Sequence, residues 1–381
     1  MASIKKITTK GGETRYVVRY RDPDGASRER RFRRKADAEE HGAGVLTDIA
    51  RGDYLDPNAG RITFVNWSRK WIDSLGGKKP STLATYEDVL KNLVNSEFGN
   101  KRLSSIKPMA IGKWMKTLEE RGVSVSRRRQ AFWVLSGCLK AAVDDDRIRR
   151  NPADRARQHV PSPRTERTPI FLTMEQVHRL ASAVDPEHLP LVYTLALSGL
   201  RWGEVCAIRH ADVNLDFGRI HVRESLSEVG GRLQFVSPKS GRERRVVVPR
   251  FLVDLLQVHL AERVDSGVDA LVFVNSQGGA MRASNFRHRV WGPAVERAGL
   301  PHKLTIHDLR HTSASLLIHL GAHLEMVRDQ LGHSTIAVTQ RYSHLYPAAI
   351  ADISERLDAH ARGVLVGLPS DESGPGDEKA A

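Results

Sequence analysis

Three short motifs in the second half of this 381-residue chain carry side chains suited to a phosphate. Arg201 stands in Ser198-Gly199-Leu200-Arg201-Trp202-Gly203-Glu204, and His307 and Arg310 stand in His307-Asp308-Leu309-Arg310. His333 follows Leu331-Gly332, and Tyr342 comes nine positions later. A phenol flanked by guanidinium and imidazole groups can attack a phosphodiester while the cations absorb the charge developing at phosphorus. A guanidinium is a planar fork that matches two phosphate oxygens at once. The chain has no Walker-type phosphate loop, no zinc-ligand spacing and no carboxylate cluster, so neither a metal nor a cofactor is expected.

The blander readings differ from motif to motif. On an isolated helix Arg201 and Glu204 would be an ordinary i,i+3 surface pair. Here a Ser-Gly-Leu turn sets Arg201 among apolar neighbours, and Glu204 reads as an orienting residue. His307 and Arg310, one helical turn apart, should share a face, whereas His311 reads as structural and pointing elsewhere. Gly332 reads as a helix terminus that turns His333 toward the site. Tyr342 could be amphipathic packing at a helix end. Tyr346 is the alternative nucleophile, at the wrong distance from Gly332-His333.

Elements to position these groups are legible around them. Thr173-Met174-Glu175-Gln176 resembles a capping box that starts a helix through Val177 and Leu180. Residues 191–197 read as a second helix ended by Gly199, and Arg201 opens a third segment with Val205 and Ile208. Residues 219–222, 233–236 and 244–248 alternate as strands, with Pro238-Lys239-Ser240-Gly241-Arg242 as a turn between the last two. Leu324, Val327 and Leu331 mark the helix before Gly332, and residues 336–342 the next helical piece. Ile350, Ile353 and Leu357 mark a short amphipathic helix, and residues 362–381 a tail whose composition predicts disorder.

Composition narrows the partner. The chain is 40% hydrophobic and 27% charged, as a soluble protein with a real core should be. A formal charge of +14 points first to nucleic acid and second to an anionic membrane surface. No apolar run could span a bilayer and no secretory core opens the chain, so no membrane association and a cytoplasmic protein are expected. Cys138 and Cys206 read as buried free thiols.

The N-terminal half divides into two patterns. Residues 14–20 and 28–32 alternate as strands around the turn Asp22-Pro23-Asp24-Gly25, and a helix follows from Lys35 to about Ala50, stopped by Gly52. Arg15, Arg19, Arg30, Arg31 and Arg33, interleaved with Tyr16, Tyr20 and Phe32, make a candidate DNA-binding surface; its bland counterpart is a solvated basic face. After a linker at residues 54–60, four helices are predicted. The first carries Phe64, Trp67, Trp71 and Leu75, and the second is capped by Ser81. The third opens at Lys107-Pro108, and the fourth runs over residues 126–143. The bundle's tryptophans read as core, and Lys78, Lys79, Arg127 and Arg128 as candidate phosphate contacts. Residues 149–167, basic and proline-bearing, read as a tether.

Taken in order, the motifs at Arg201, His307-Arg310 and Gly332-His333-to-Tyr342 resemble those of the tyrosine recombinases, specifically the phage-type integrases. The resemblance covers roughly residues 168–361 and extends more loosely before them. It implies a multidomain, mainly α protein with small β-sheets. Residues 1–55 would form an N-terminal α+β arm-binding domain, 62–152 a four-helix core-binding bundle, and 165–361 a mixed, mostly helical catalytic domain. Lys239 matches the family's general acid for the leaving 5′-oxygen; Arg242, its neighbour, is a poor acid. His307 and His333 would donate to phosphate oxygens, Arg201 and Arg310 would clamp them, and Tyr342 would be the nucleophile. The implied partners are double-stranded DNA with core-type and arm-type sites and further copies of the chain in a homotetramer. An accessory DNA-bending protein and a directionality factor are also implied, in a bacterial host cell. The rivals are a type IB topoisomerase-like nicking-closing enzyme and a non-catalytic DNA-binding regulator on the same fold.

Overall fold

The computed structural model describes residues 2–9, 11–163, 167–239, 241–262, 267–333, 335–345, 353–355 and 357–362. Tyr346, Ile350 and the expected tail beyond Arg362 lie outside these residues. The chain forms two compact units, Met1–Glu166 and Arg167–Ala381.

The first unit opens with an antiparallel sheet of β1 (Ser3–Thr8), β2 (Thr14–Arg21) and β3 (Ser27–Phe32), followed by helix α1 (Lys35–Arg51). β1 is absent from the sequence reading. It is an edge strand with Lys5 and Lys6 among its six residues, and charge on an edge masks the apolar alternation. Strand alternation sends Val18 and Tyr20 down onto Ala38 and Val45 of α1. Gly42 helps: a Cβ there would lie 3.5 Å from Val18 Cγ1, so the helix sits close to the sheet. Gly52 ends α1 at φ +73, a left-handed cap that glycine adopts without a Cβ clash.

A helical core follows, built from α2 (Phe64–Ser74), α3 (Pro80–Val89), α4 (Asn95–Phe98), α5 (Pro108–Glu120) and α6 (Val125–Asp144). A π-turn, Leu90–Val94, joins α3 to α4. Trp67, Trp71 and Trp114 are buried, and two of their indole N–H groups are satisfied by backbone. Trp67 donates to the Cys138 carbonyl at 2.9 Å and Trp114 to the Leu93 carbonyl at 3.1 Å. Trp133 departs from the expected core: it is 48% exposed, with the Arg157 guanidinium over its ring. Ser81 is not the cap of α3. Pro80 occupies the first helical turn, where its fixed φ is preorganised, so the cap falls on Lys79. The expected tether is packed along its first half. Ala153 and Ala156 are fully buried in the helical core, and a 3-10 turn, Asp154–His159, lies against α5. Small side chains allow that approach, and the basic composition had hidden it.

The second unit begins with α7 (Met174–Ser182), whose capping box pairs Thr173 and Gln176 as expected. α8 (Leu189–Ser198) ends at Gly199, φ +67, and α9 (Trp202–Val205) follows. β4 (Val213–Asn214), β5 (Arg219–Val222) and β8 (Arg244–Val247) form one sheet, and β6 (Ser225–Val229) and β7 (Arg232–Val236) form another. The loop bearing Lys239 therefore crosses between two sheets and is not the turn of a hairpin. The remaining helices are α10 (Arg250–Ala261), α11 (Ala283–Phe286), α12 (Gly292–Arg297), α13 (Ile306–His319), α14 (Leu324–Leu331) and α15 (Ile336–Thr339). α8 and α13 pack together at the centre of this unit. Cys138 and Cys206 are buried free thiols whose pKa burial raises. Among the described residues no helix is long and apolar enough to cross a membrane.

Candidate active site

Gly199 is where the site begins. A Cβ on it would fall 2.4 Å from Leu331 Cδ2 and 2.9 Å from Ser313 Oγ, so only glycine lets α8 end wedged against α13 and α14. Its carbonyl accepts a 2.6 Å hydrogen bond from Nη1 of Arg310, which is 3% exposed.

Two residues on, Arg201 precedes α9 and folds onto Glu204. The Arg201 backbone N–H donates to Glu204 Oε2 at 2.9 Å, and Nη1 donates to Oε1 at 3.0 Å. Glu204, 1% exposed, also accepts two hydrogen bonds from Arg244, at 3.1 and 2.7 Å. Burial alone would raise the Glu204 carboxyl; hydrogen bonding and charge from Arg244, then Arg201, hold it below the usual range.

Arg244 was not singled out from the sequence, although a signal was present. It falls in phase with Val246 and Val248, both buried, whereas Arg245 and Val247 face outward. A charge on the apolar face of a strand needs a buried partner. Gly332, φ +67 at the end of α14, makes room for it: a Cβ there would lie 2.5 Å from Arg244 Nε. Gln330 fixes α14 to the open edge of β8, donating to the Val247 carbonyl at 2.7 Å.

Two guanidiniums, of Arg201 and Arg244, thus share one carboxylate, and the charge of Arg310 is felt by all three groups. Arg310 Nη2 and Arg244 Nε are buried with no hydrogen-bond partner among the described residues. Burial first, then the charges of Arg201 and Arg244, push the Arg310 pKa down to about 9, with Glu204 and Tyr342 acting in opposition. A buried cation with an unused donor is costly unless an anion completes it.

The start of α13 is held by Asp308, which is 2% exposed. It accepts from the Thr305 backbone at 2.6 Å, from Thr305 Oγ1 at 2.7 Å and from Arg167 at 3.0 Å. His307 is exposed on that helix. His311, expected to point elsewhere, is a correction: its Nδ1 shares a 2.7 Å hydrogen bond with the Tyr342 hydroxyl. Residues i and i+4 lie on one helical face, so the buried His311 packs beside the exposed His307, their ring centroids 4.9 Å apart.

Tyr342 lies in a 3-10 turn, Gln340–Leu345, not in α15, and is 1% exposed. His333 is half-buried, its Nδ1 sharing a 2.9 Å hydrogen bond with Thr339 Oγ1. Lys239 is exposed on its loop, and among the described residues no hydrogen bond joins it to the other five. Beside this cluster lies a cavity of about 690 Å³ lined by Arg242, Arg244, Arg245, Arg328 and His333, with Glu243 and Asp329. Among the described residues no group of His, Cys, Asp or Glu could hold a metal ion.

The candidate DNA-contact residues fall into distinct environments. On the β-sheet, register pairs Arg19 with Glu29 and Val17 with Arg31, so Arg15, Arg19 and Arg31 share the face away from α1. Arg30 pairs with Val18 on the α1 side and covers the Phe32 ring at 5.4 Å. Arg33, Lys78 and Lys79 are exposed. Arg127 is ion-paired to Asp88. Arg128 is withdrawn as a phosphate contact: it is 7% exposed on the inner side of α6 and ion-paired to Glu119 at 2.8 Å.

Residues 170–349 match the phage integrase family, and residues 63–118 match the phage integrase N-terminal SAM-like domain. The chain is 28% identical over 346 residues to a putative prophage phiRv2 integrase of Mycobacterium tuberculosis, covering 87% of this chain and 88% of that protein. It is 25% identical over 383 residues to a XerC-like tyrosine recombinase of Caldanaerobacter subterraneus, covering 92% and 97%. Its fold is similar to that of the Tn1549 transposon integrase in complex with circular intermediate DNA. That match has a TM-score of 0.65 at 22% identity and covers 77% of this chain and 99% of that one. A lambda integrase tetramer bound to a Holliday junction matches with a TM-score of 0.55 at 16% identity, covering 87% and 95%. With two such regions matched in sequence order and relatives aligned nearly end to end, the chain belongs to the phage integrase family and is a tyrosine-type site-specific recombinase.

Proposed function

We propose that this recombinase cuts and rejoins duplex DNA through Tyr342, forming a 3′-phosphotyrosine and a free 5′-hydroxyl. The observation that carries the assignment is the excess of cation: two guanidiniums share one buried glutamate, and a third, the buried Arg310, feels their charge and has no partner for Nη2 among the described residues. A scissile phosphate supplies the missing anion. Arg201 and Arg310 hold its non-bridging oxygens, and His307 and His333 add donors as charge develops on phosphorus. The bond from Tyr342 Oη to phosphorus forms as the bond to O5′ breaks, and Lys239 protonates the leaving oxygen. The phosphodiester energy stays in the new bond, so rejoining needs no nucleotide. Cationic side chains fill the place of a metal pair.

Residues 1–55 serve as an arm-site DNA-binding domain, 62–152 as the core-site domain and 165–361 as the catalytic domain. The reading extends to integration or excision of a mobile element by a homotetramer on DNA, in the bacterial cytoplasm. A DNA-bending protein and a directionality factor assist it. The lambda integrase tetramer on a Holliday junction supports the assembly, and the exposed Ile353 and Leu357 offer an apolar surface for a second copy. Deleting the chain from residue 350 onward should weaken synapsis more than binding to a single site.

A nicked suicide duplex carrying the crossover site tests the chemistry. A covalent adduct should form with wild type, vanish in Tyr342→Phe and persist in Tyr346→Phe. An adduct that survives Tyr342→Phe sinks the assignment.

A further inference from the structure

The Tyr342 hydroxyl is enclosed. The residue is 1% exposed and its ring packs edge-on to Phe171, with centroids 6.5 Å apart. A phenol with an ordinary pKa near 10 must lose its proton as it attacks phosphorus. From an enclosed site that proton cannot pass directly to bulk water, so a protein group must take it. Arg310, whose pKa responds to Tyr342, has no acceptor atom in its guanidinium form. His333 has its Nδ1 engaged by Thr339, and Lys239 stands exposed on its loop. His311 presents Nδ1 at 2.7 Å from the hydroxyl, inside the range a general base requires.

We propose that His311 is the base that removes the Tyr342 proton. This rests on the reading of Tyr342 as nucleophile and deepens it. As the bond from Oη to phosphorus forms and the bond to O5′ breaks, the phenol proton passes to His311 Nδ1. The 5′-oxygen takes its own proton from Lys239, so the step balances without any further reactant. On rejoining, the 5′-hydroxyl attacks and the imidazolium returns its proton to the departing phenolate. His311 is well held for this role. It follows Arg310 directly on α13, whose first turn is pinned by Asp308, and its ring is 8% exposed. His307 packs edge-on against it, ring centroids 4.9 Å apart.

The distinguishing variants are His311→Ala and His311→Asn. Asparagine places a hydrogen-bonding atom near the Nδ1 position without basicity, so it preserves a purely positional contact. Adduct formation on the suicide duplex is expected to slow about 100-fold or more in both variants. Non-covalent DNA affinity and melting temperature of His311→Asn should stay near wild type. Added imidazole should restore part of the rate to His311→Ala. A duplex with a 5′-bridging sulfur, whose leaving group needs no acid, should rescue Lys239→Ala but neither His311 variant. His311→Asn cutting at the wild-type rate, or sulfur rescuing the His311 variants, overturns the proposal. A wild-type chain that forms no adduct sinks the Tyr342 reading itself, and this proposal with it.

Discussion

Nδ1 of His311 and the hydroxyl of Tyr342 lie 2.7 Å apart although 31 positions separate them in the chain. The contact joins α13, which carries Arg310, to the 3-10 turn that carries the tyrosine. The proposed nucleophile, Tyr342, and the proposed phosphate clamp, Arg310, are therefore tied to a single helix. The bond also bears on stability. Tyr342→Phe leaves a buried ring nitrogen without this partner, at a cost of about 1–3 kcal/mol. Thermal unfolding should show the inactive variant melting below wild type; an unchanged melting temperature would mean that the contact adds nothing.

Glu204 should be the most sensitive carboxylate in the second unit. Glu204→Gln leaves the part-buried Arg201 and Arg244 without their counter-charge, and breaking a fully buried pair costs on the order of 3–5 kcal/mol, an upper bound here. Chemical denaturation measures the loss. The same group predicts acid sensitivity. Its folded pKa lies below the ordinary value of about 4.3, so its contribution is complete above that pH and disappears as pH falls through the folded value. The variant should lose this part of the acid dependence.

Gly332→Ala should act through Arg244. The added methyl would meet the guanidinium at 2.5–2.7 Å, and φ +67 adds about 1–2 kcal/mol of left-handed strain. In an Arg244→Ala background only the strain should remain. The two substitutions should therefore be less than additive in both stability and adduct formation, measured as a double-mutant cycle. Full additivity would separate the glycine from the arginine.

Arg310, with its pKa pushed down to about 9, gives the site an alkaline limit. An anion bound to the guanidinium raises that pKa, so affinity for cleavable DNA should be level below about pH 9. It should then fall by up to tenfold per unit above it. The DNA-free protein should respond in the opposite direction. Its unfolded chain keeps the proton to higher pH, so stability from this group rises above 9. Affinity titrations and unfolding curves across that range check both signs.

On the N-terminal sheet, Arg19→Ala and Arg31→Ala should each weaken arm-site binding and lower the salt slope by about one unit. Arg30→Ala, on the face toward α1, should change neither appreciably. Equal effects from all three would dismiss the division between faces.

Much of this architecture was legible because local rules were obeyed. The capping box at Thr173, the glycine stops at Gly52, Gly199 and Gly332, and the apolar stripe of α5 all carry their structural signal within a few residues. What escaped depended on contacts distant in sequence. Arg244 meets Glu204 from another element, and β1 is specified by its partner strand more than by its own residues. His311 obeys the helical i,i+4 relation to His307, but its partner Tyr342 lies 31 positions away. Ser81 has the residue type of a cap, but the fixed φ of Pro80 before it moves the cap to Lys79.

The near-total enclosure of Tyr342 leaves the resting protein chemically quiet. If Tyr342 is the nucleophile, as proposed, its 1% exposure keeps the hydroxyl beyond the reach of loose phosphates. A strand would have to open the cover over this hydroxyl while its contact to His311 persists, and that work is subtracted from whatever the DNA contributes.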